Sequence, residues 1–161
     1  IPNDTIQRML HSKMEQIPIP PVTEEELAFG KQFAQTIPNS RPDHPFSDIL
    51  LPYDAETLGF ASTDVGDVSW VCPTAQIWTA CEVWNTPGHS WQYTAQGKST
   101  RAKVMTAYAA KVMAAGVAEL MENPELLSQA KAEHAKRVGP DGYIPPIPRD
   151  VKPMSMDSFK K

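Results

Sequence analysis

The chain has 161 residues and a formal net charge of −4, with 15 Lys and Arg against 19 Asp and Glu and 41% hydrophobic residues. That length supports one domain with its own core, interleaved charge offers no basic stripe to nucleic acid, and no uninterrupted apolar run approaches the ~20 residues a bilayer span needs. Two cysteines, Cys72 and Cys81, are too few for a disulfide framework; both fall in a stretch expected to be buried strand and fit a reducing, cytoplasmic compartment.

The opening IPNDTIQRML has no secretory-signal pattern and lacks an initiating Met, so it is expected to lie inside a longer protein. Asn3 or Asp4 can cap a first helix, with Ile6, Met9, Leu10, Met14 and Ile17 recurring on one face until Pro18, Pro20 and Pro21. Thr23 followed by Glu26 is a capping-box signature before a second amphipathic helix carrying Leu27, Phe29 and Phe33. Pro38 to Leu58 lacks periodicity and reads as a long loop.

AQIWTAC, Ala75 to Cys81, alternates and is expected to be a strand. Asn85-Thr86-Pro87-Gly88 is a turn. Ser99 or Thr100 caps a long helix to about Met121, with Met105, Ala109, Val112, Met113, Gly116 and Leu120 on the packed stripe and Ala and Gly116 suggesting close approach to a sheet. Asn123-Pro124 opens a further helix to about Val138. The tail from Gly139, rich in Pro, should be extended on the surface. The resulting organisation is residues 1–138 as a domain portion and 139–161 as tail. Four helices stand against one strand, and a lone strand cannot satisfy its own ladder. Either another segment or chain supplies the sheet, or further strands lie in the 47–72 region.

The candidate chemistry is sparse. In ASTDVGDVSW, Asp64 and Asp67 flank Gly66 and could converge on a cation or orient a histidine; the competing reading is an Asx-turn loop with both carboxylates on local N–H groups. His89, beside Gly88, is placed to ligate a metal, or is an ordinary loop histidine. Only Asp64, Asp67, Cys81 and Glu82 lie near it in sequence as companions, without HxxxH or CxxC spacing. His11 and His134 sit in amphipathic helices and should be solvated, and His44 lies in the long loop. The thiols have no sequence-adjacent histidine, and AQGKST lacks the first glycine of a phosphate loop, though Lys98, Ser99 and Thr100 could meet an anion.

Taken together, ASTDVGDVSWVCPTAQ, TPGHSWQ, AQGKS leading into AAKVMAA, and PPIPRDVKP resemble the C-terminal part of the p-aminobenzoyl-glutamate hydrolase family, among the di-metal aminoacylase and carboxypeptidase-like amidohydrolases. The resemblance covers essentially the whole chain. It implies an α/β fold, the C-terminal portion of a zinc-peptidase-like catalytic domain, whose N-terminal half and dimerising lid lie elsewhere. It implies hydrolysis of an amide bond to an amino acid, two zinc or manganese ions in the complete protein, and none held tightly by this part alone. His89 matches the family's last metal-binding histidine. Asp64 matches the acidic residue beside the metal centre, with Ser62 and Asp67 in a pocket-shaping or structural loop; Thr63 stands where many relatives carry a second acid. The family's Gly-His-Gly segment and paired glutamates have no match here, so no catalytic residue is expected in this stretch.

The partners so implied are the N-terminal half of the same enzyme, a small acyl-amino-acid substrate, and a second copy through the lid, with neither nucleic acid nor membrane. Two alternatives stand beside this reading. One is a non-catalytic partner-binding module that completes another chain's sheet. The other is a mononuclear metal protein using His89, Glu82 and Asp64 or Asp67.

Overall fold

The computed structural model describes residues 1–53, 62–148, 150–155 and 157. Six helices follow in chain order: α1 (Asp4–Gln16), α2 (Glu24–Ala34), α3 (Val65–Val71), α4 (Trp91–Gln96), α5 (Thr100–Glu122) and α6 (Pro124–Val138).

The helix starts are those the capping residues specify. Asn3 Oδ1 accepts from the Ile6 N–H at 3.1 Å. Thr23 and Glu26 close a full capping box, at 3.2 Å for Glu26 N–H to Thr23 Oγ1 and 2.9 Å for Thr23 N–H to Glu26 Oε2. Ser99 accepts from Ala102 and Asn123 from Leu126, each at 3.1 Å. Helix α1 also borrows acceptors from α6. The Glu133 carboxylate takes the Asp4 and Thr5 N–H groups at 2.8 and 2.9 Å, while Asn3 Nδ2 donates to the Ala130 carbonyl at 2.8 Å. Donors that a helix N-terminus leaves orphaned thus become the joint between first and last helix.

Helices α1, α5 and α6 pack on one another. Met9, Leu10, Met105, Tyr108 and Val112 are buried between α1 and α5, with Ile77 and Leu126 against them. Gly116 permits this approach, because a Cβ there would lie 2.6 Å from Leu10 Cδ2. A second core gathers Ala34, Ile37, Phe46 and Val83. Arg101, fully buried, stands between the two: Nη1 donates to the Pro20 carbonyl at 2.9 Å and the guanidinium lies 5.9 Å from the Phe46 ring.

The α/β expectation is overturned. All regular secondary structure among the described residues is helical, with six helices where four were expected and no strand. Residues 75–81 are extended but unladdered. Ala75 and Ile77 pack on the first core while Trp78 is 84% exposed, so the alternation correctly reports a one-sided extended segment. At residue 76 the backbone bonds a side chain: Gln76 N–H donates to Gln7 Oε1 at 3.1 Å, and Gln7 Nε2 donates to the Gln76 carbonyl at 2.8 Å. A primary amide on α1 serves residue 76 as a neighbouring strand would, so period-two patterning did not require a sheet.

Smaller corrections follow from the same packing. Gly116 approaches helix α1, not a sheet. Met113 is 56% exposed, off the buried stripe. Cys72 is exposed and Cys81 intermediate, neither in a strand. His11 is not simply solvated, since its Nε2 donates to the Leu51 carbonyl at 3.0 Å. The Ser62–Ser69 stretch, read as loop, contains most of α3, and α4 was not foreseen. The loop from Pro38 is ordered around buried Pro45 and Phe46; its expected end, from residue 54 to Leu58, lies outside the described residues, as does Ala61. From Gly139 onward the described residues are irregular and largely exposed.

Candidate functional site

His89 occupies the tight bend that enters α4. Ser90 is the N-cap: its Oγ accepts from the Tyr93 N–H at 3.1 Å and donates to the Pro87 carbonyl at 2.6 Å, closing Pro87–Ser90 on itself. Closing the bend puts His89 at φ 56°, in the left-handed region, where a side chain other than Gly costs about 1 kcal/mol or more. Histidine is among the residues that tolerate this conformation best. The imidazole is exposed.

The bend is held from beneath by buried Gln96. Its Oε1 accepts from the Val83 N–H at 2.7 Å, and its Nε2 donates to Thr86 Oγ1 and the Gln92 carbonyl at 3.0 and 3.1 Å. Asn85, also left-handed at φ 67°, donates through Nδ2 to the Pro38 carbonyl at 3.0 Å. A rigid, core-anchored turn therefore presents one outward imidazole.

The second candidate segment leads into α3, with Asp67 on the helix and Ser62 and Asp64 before it. Ser62 and Asp64 are exposed, and Asp64 makes no side-chain cap although it stands at the N-cap position. Asp67 accepts from the Tyr143 hydroxyl at 2.7 Å, and this hydrogen bond holds the Tyr143 phenol above its ordinary value. The carbonyl of Ser69 accepts from His134 Nε2 at 3.0 Å. Thus α3 is tied to the tail through Asp67 and to α6 through His134, so Asp67 bonds a distant phenol and not the local N–H groups of an Asx turn.

Glu82 is engaged by Cys81, whose thiol donates to Glu82 Oε2 at 3.2 Å. Burial, then that hydrogen bond, raises the Cys81 thiol to about 11, leaving it protonated and inert at neutral pH. Among the described residues no three of His, Cys, Asp and Glu converge to hold a metal ion, so a self-contained mononuclear site is not formed. Hollows among the described residues include a groove of about 540 Å³ along α1, the end of α5 and α6 and a smaller one of about 190 Å³ beside Glu82 and Trp84; His89, Asp64 and Asp67 line neither.

Residues that shape this architecture without having been singled out are Gln7, Gln96, Arg101 and Glu133. Arg101 was detectable, since it shares the register of Met105, Tyr108 and Val112 and so had to face inward. The other three left no local signal.

Over an alignment of 177 residues the chain is 31% identical to a p-aminobenzoyl-glutamate hydrolase subunit of Escherichia coli (strain K12), covering 95% of this chain and 37% of that protein. By that match the chain is similar to members of the p-aminobenzoyl-glutamate hydrolase family. It corresponds to the C-terminal part of that family, as its motifs indicated, and spans little more than a third of the curated relative's length. No family model matches it, and no solved structure does.

Proposed function

We propose that this chain is the C-terminal portion of a metal-dependent amidohydrolase cleaving an amide bond to an amino acid, in the manner named for its relative. The supporting observation is 31% identity, in an alignment covering 95% of the chain, with a protein named for hydrolysis of p-aminobenzoyl-glutamate. A closed metal site needs three or four protein donors, and the described residues do not bring them together. On this reading the described residues supply only part of the donor set that a zinc or manganese pair needs.

In this reading His89 gives one imidazole to a two-ion centre, and the other donors and the general base come from the N-terminal half of the enzyme. When bound, the ions would activate water toward the amide carbonyl. The segment's own task is positional. The Ser90 clasp and the Gln96 anchor hold the imidazole outward, and Ser62, Asp64 and Asp67 border the pocket from the start of α3 and the residues before it. The isolated segment is inactive on this account, and the complete protein works in the cytoplasm with a partner chain, as the word subunit in the relative's name suggests.

The test is His89→Ala in the complete protein, with metal content and p-aminobenzoyl-glutamate hydrolysis measured together. Loss of a donor should cost more than the roughly 10- to 100-fold typical of losing an outer-shell partner and should lower bound metal. Unchanged metal content and rate would overturn the assignment.

A further inference from the structure

Helix α5 buries one face against α1 and leaves an apolar face uncovered. Arg101, Met105, Tyr108, Val112 and Gly116 point into the core. Across the helix, Met113, Val117 and Met121 are 56%, 57% and 81% exposed, and at helical spacing exposed Ala110, Ala114 and Ala118 lie between them. No charged residue interrupts this sector from Thr106 to Met121, about 24 Å of helix; Lys111 stands at its margin. A helix apolar on opposite faces is characteristic of a fully enclosed position, and the alanines let a partner's backbone come close.

We infer that this face of α5 is the docking surface for the rest of the same protein, which covers it with an uncharged apolar surface. The inference rests on the reading that the chain is part of a larger hydrolase. What commits the surface to that occupant is length: the relative carries 63% of its chain (100 − 37) outside the matched region. A second copy of this segment is a poorer occupant, because an uncharged face of Ala, Met and Val has nothing to set the register of a self-pair. A bilayer is poorer still, although α5 is long and apolar enough by composition to cross one. Its other face is taken by α1 and carries the Lys13–Glu119 ion pair at 3.0 Å.

The experiment supplies the rest of the chain's own gene product as a second, tagged chain and measures how much of the 161-residue segment co-purifies. Val117→Lys should leave the segment's circular dichroism and melting temperature unchanged, since residue 117 is exposed, yet reduce co-purification at least about tenfold by burying an unpaired charge. Ala132→Lys, at an exposed position on α6, should co-purify as wild type does. Wild-type recovery of the Val117→Lys segment overturns the assignment of the surface while leaving the larger-hydrolase reading intact. Failure of the wild-type segment to pair at all overturns both. A wild-type segment that self-associates, or that binds phosphatidylcholine vesicles, in a manner abolished by Val117→Lys would replace the proposed occupant and overturn the inference.

Discussion

Glu133 ties a titration to a helix start. Burial pushes its carboxyl upward, but the Thr5 hydroxyl, the Thr5 and Asp4 N–H groups and the Arg137 charge outweigh it and hold it below its ordinary value of 4.5. A depressed carboxylate contributes stability that is complete above the unfolded-state value and lost as pH falls through the folded-state value. Glu133→Gln should therefore lower stability at pH 7 by about 1–3 kcal/mol, the usual cost of breaking charge-assisted hydrogen bonds. The variant should also lose less than wild type on further acidification below about pH 4.5. Thermal melts of both proteins from pH 7 to pH 3 check this. Parallel pH curves would contradict it. Some acid sensitivity must remain, because Asp4 is also held low by its hydrogen bonds from Tyr53 and Arg8.

At the scale of elements, two helical glycines look equivalent in sequence and differ in their surroundings. A Cβ at Gly116 would meet the end of a flexible side chain, Leu10 Cδ2, at 2.6 Å. At Gly30 it would meet Phe46 Cε2 and Pro45 Cγ and Cβ at 2.7, 2.8 and 2.9 Å, a stiff ring wall. Alanine gains about 1 kcal/mol over glycine inside a helix, whereas overpacking costs about 1–3 kcal/mol. Gly30→Ala is thus expected to destabilise clearly and Gly116→Ala to come out near neutral, as denaturant midpoints would show. The element most misjudged from sequence is 75–81. Ile77 in and Trp78 out was legible as extended chain, but Gln7, far earlier in the chain, decided that its backbone would meet a side-chain amide.

Across the whole molecule, Arg101 joins two small cores at an energetic cost. Its Nε and Nη2 are buried without a hydrogen-bond partner among the described residues, and burial lowers its basicity. Replacing a buried charge by an apolar side chain of similar volume is often neutral or stabilising by about 1–4 kcal/mol, while truncation leaves a cavity costing about 2–5 kcal/mol. Arg101→Met should therefore match or exceed wild type in urea unfolding, and Arg101→Ala should fall well below it. A Met variant as weak as the Ala variant would show that the guanidinium itself holds the cores together.

The helices with strong caps, Asn3, Thr23, Ser99 and Asn123, and the family motifs around Asp64 and His89 were readable from the amino-acid order, because capping, periodicity and motif spacing are local. What tertiary structure alone decided was where the unmet polar groups went. Glu133 supplies α1, Gln7 replaces a strand, Gln96 fixes the bend under His89, and Asp67 turns to Tyr143. Each of these bonds joins residues well separated along the chain, and the side chain that forms it shows no pattern in sequence until folding brings its partner within reach.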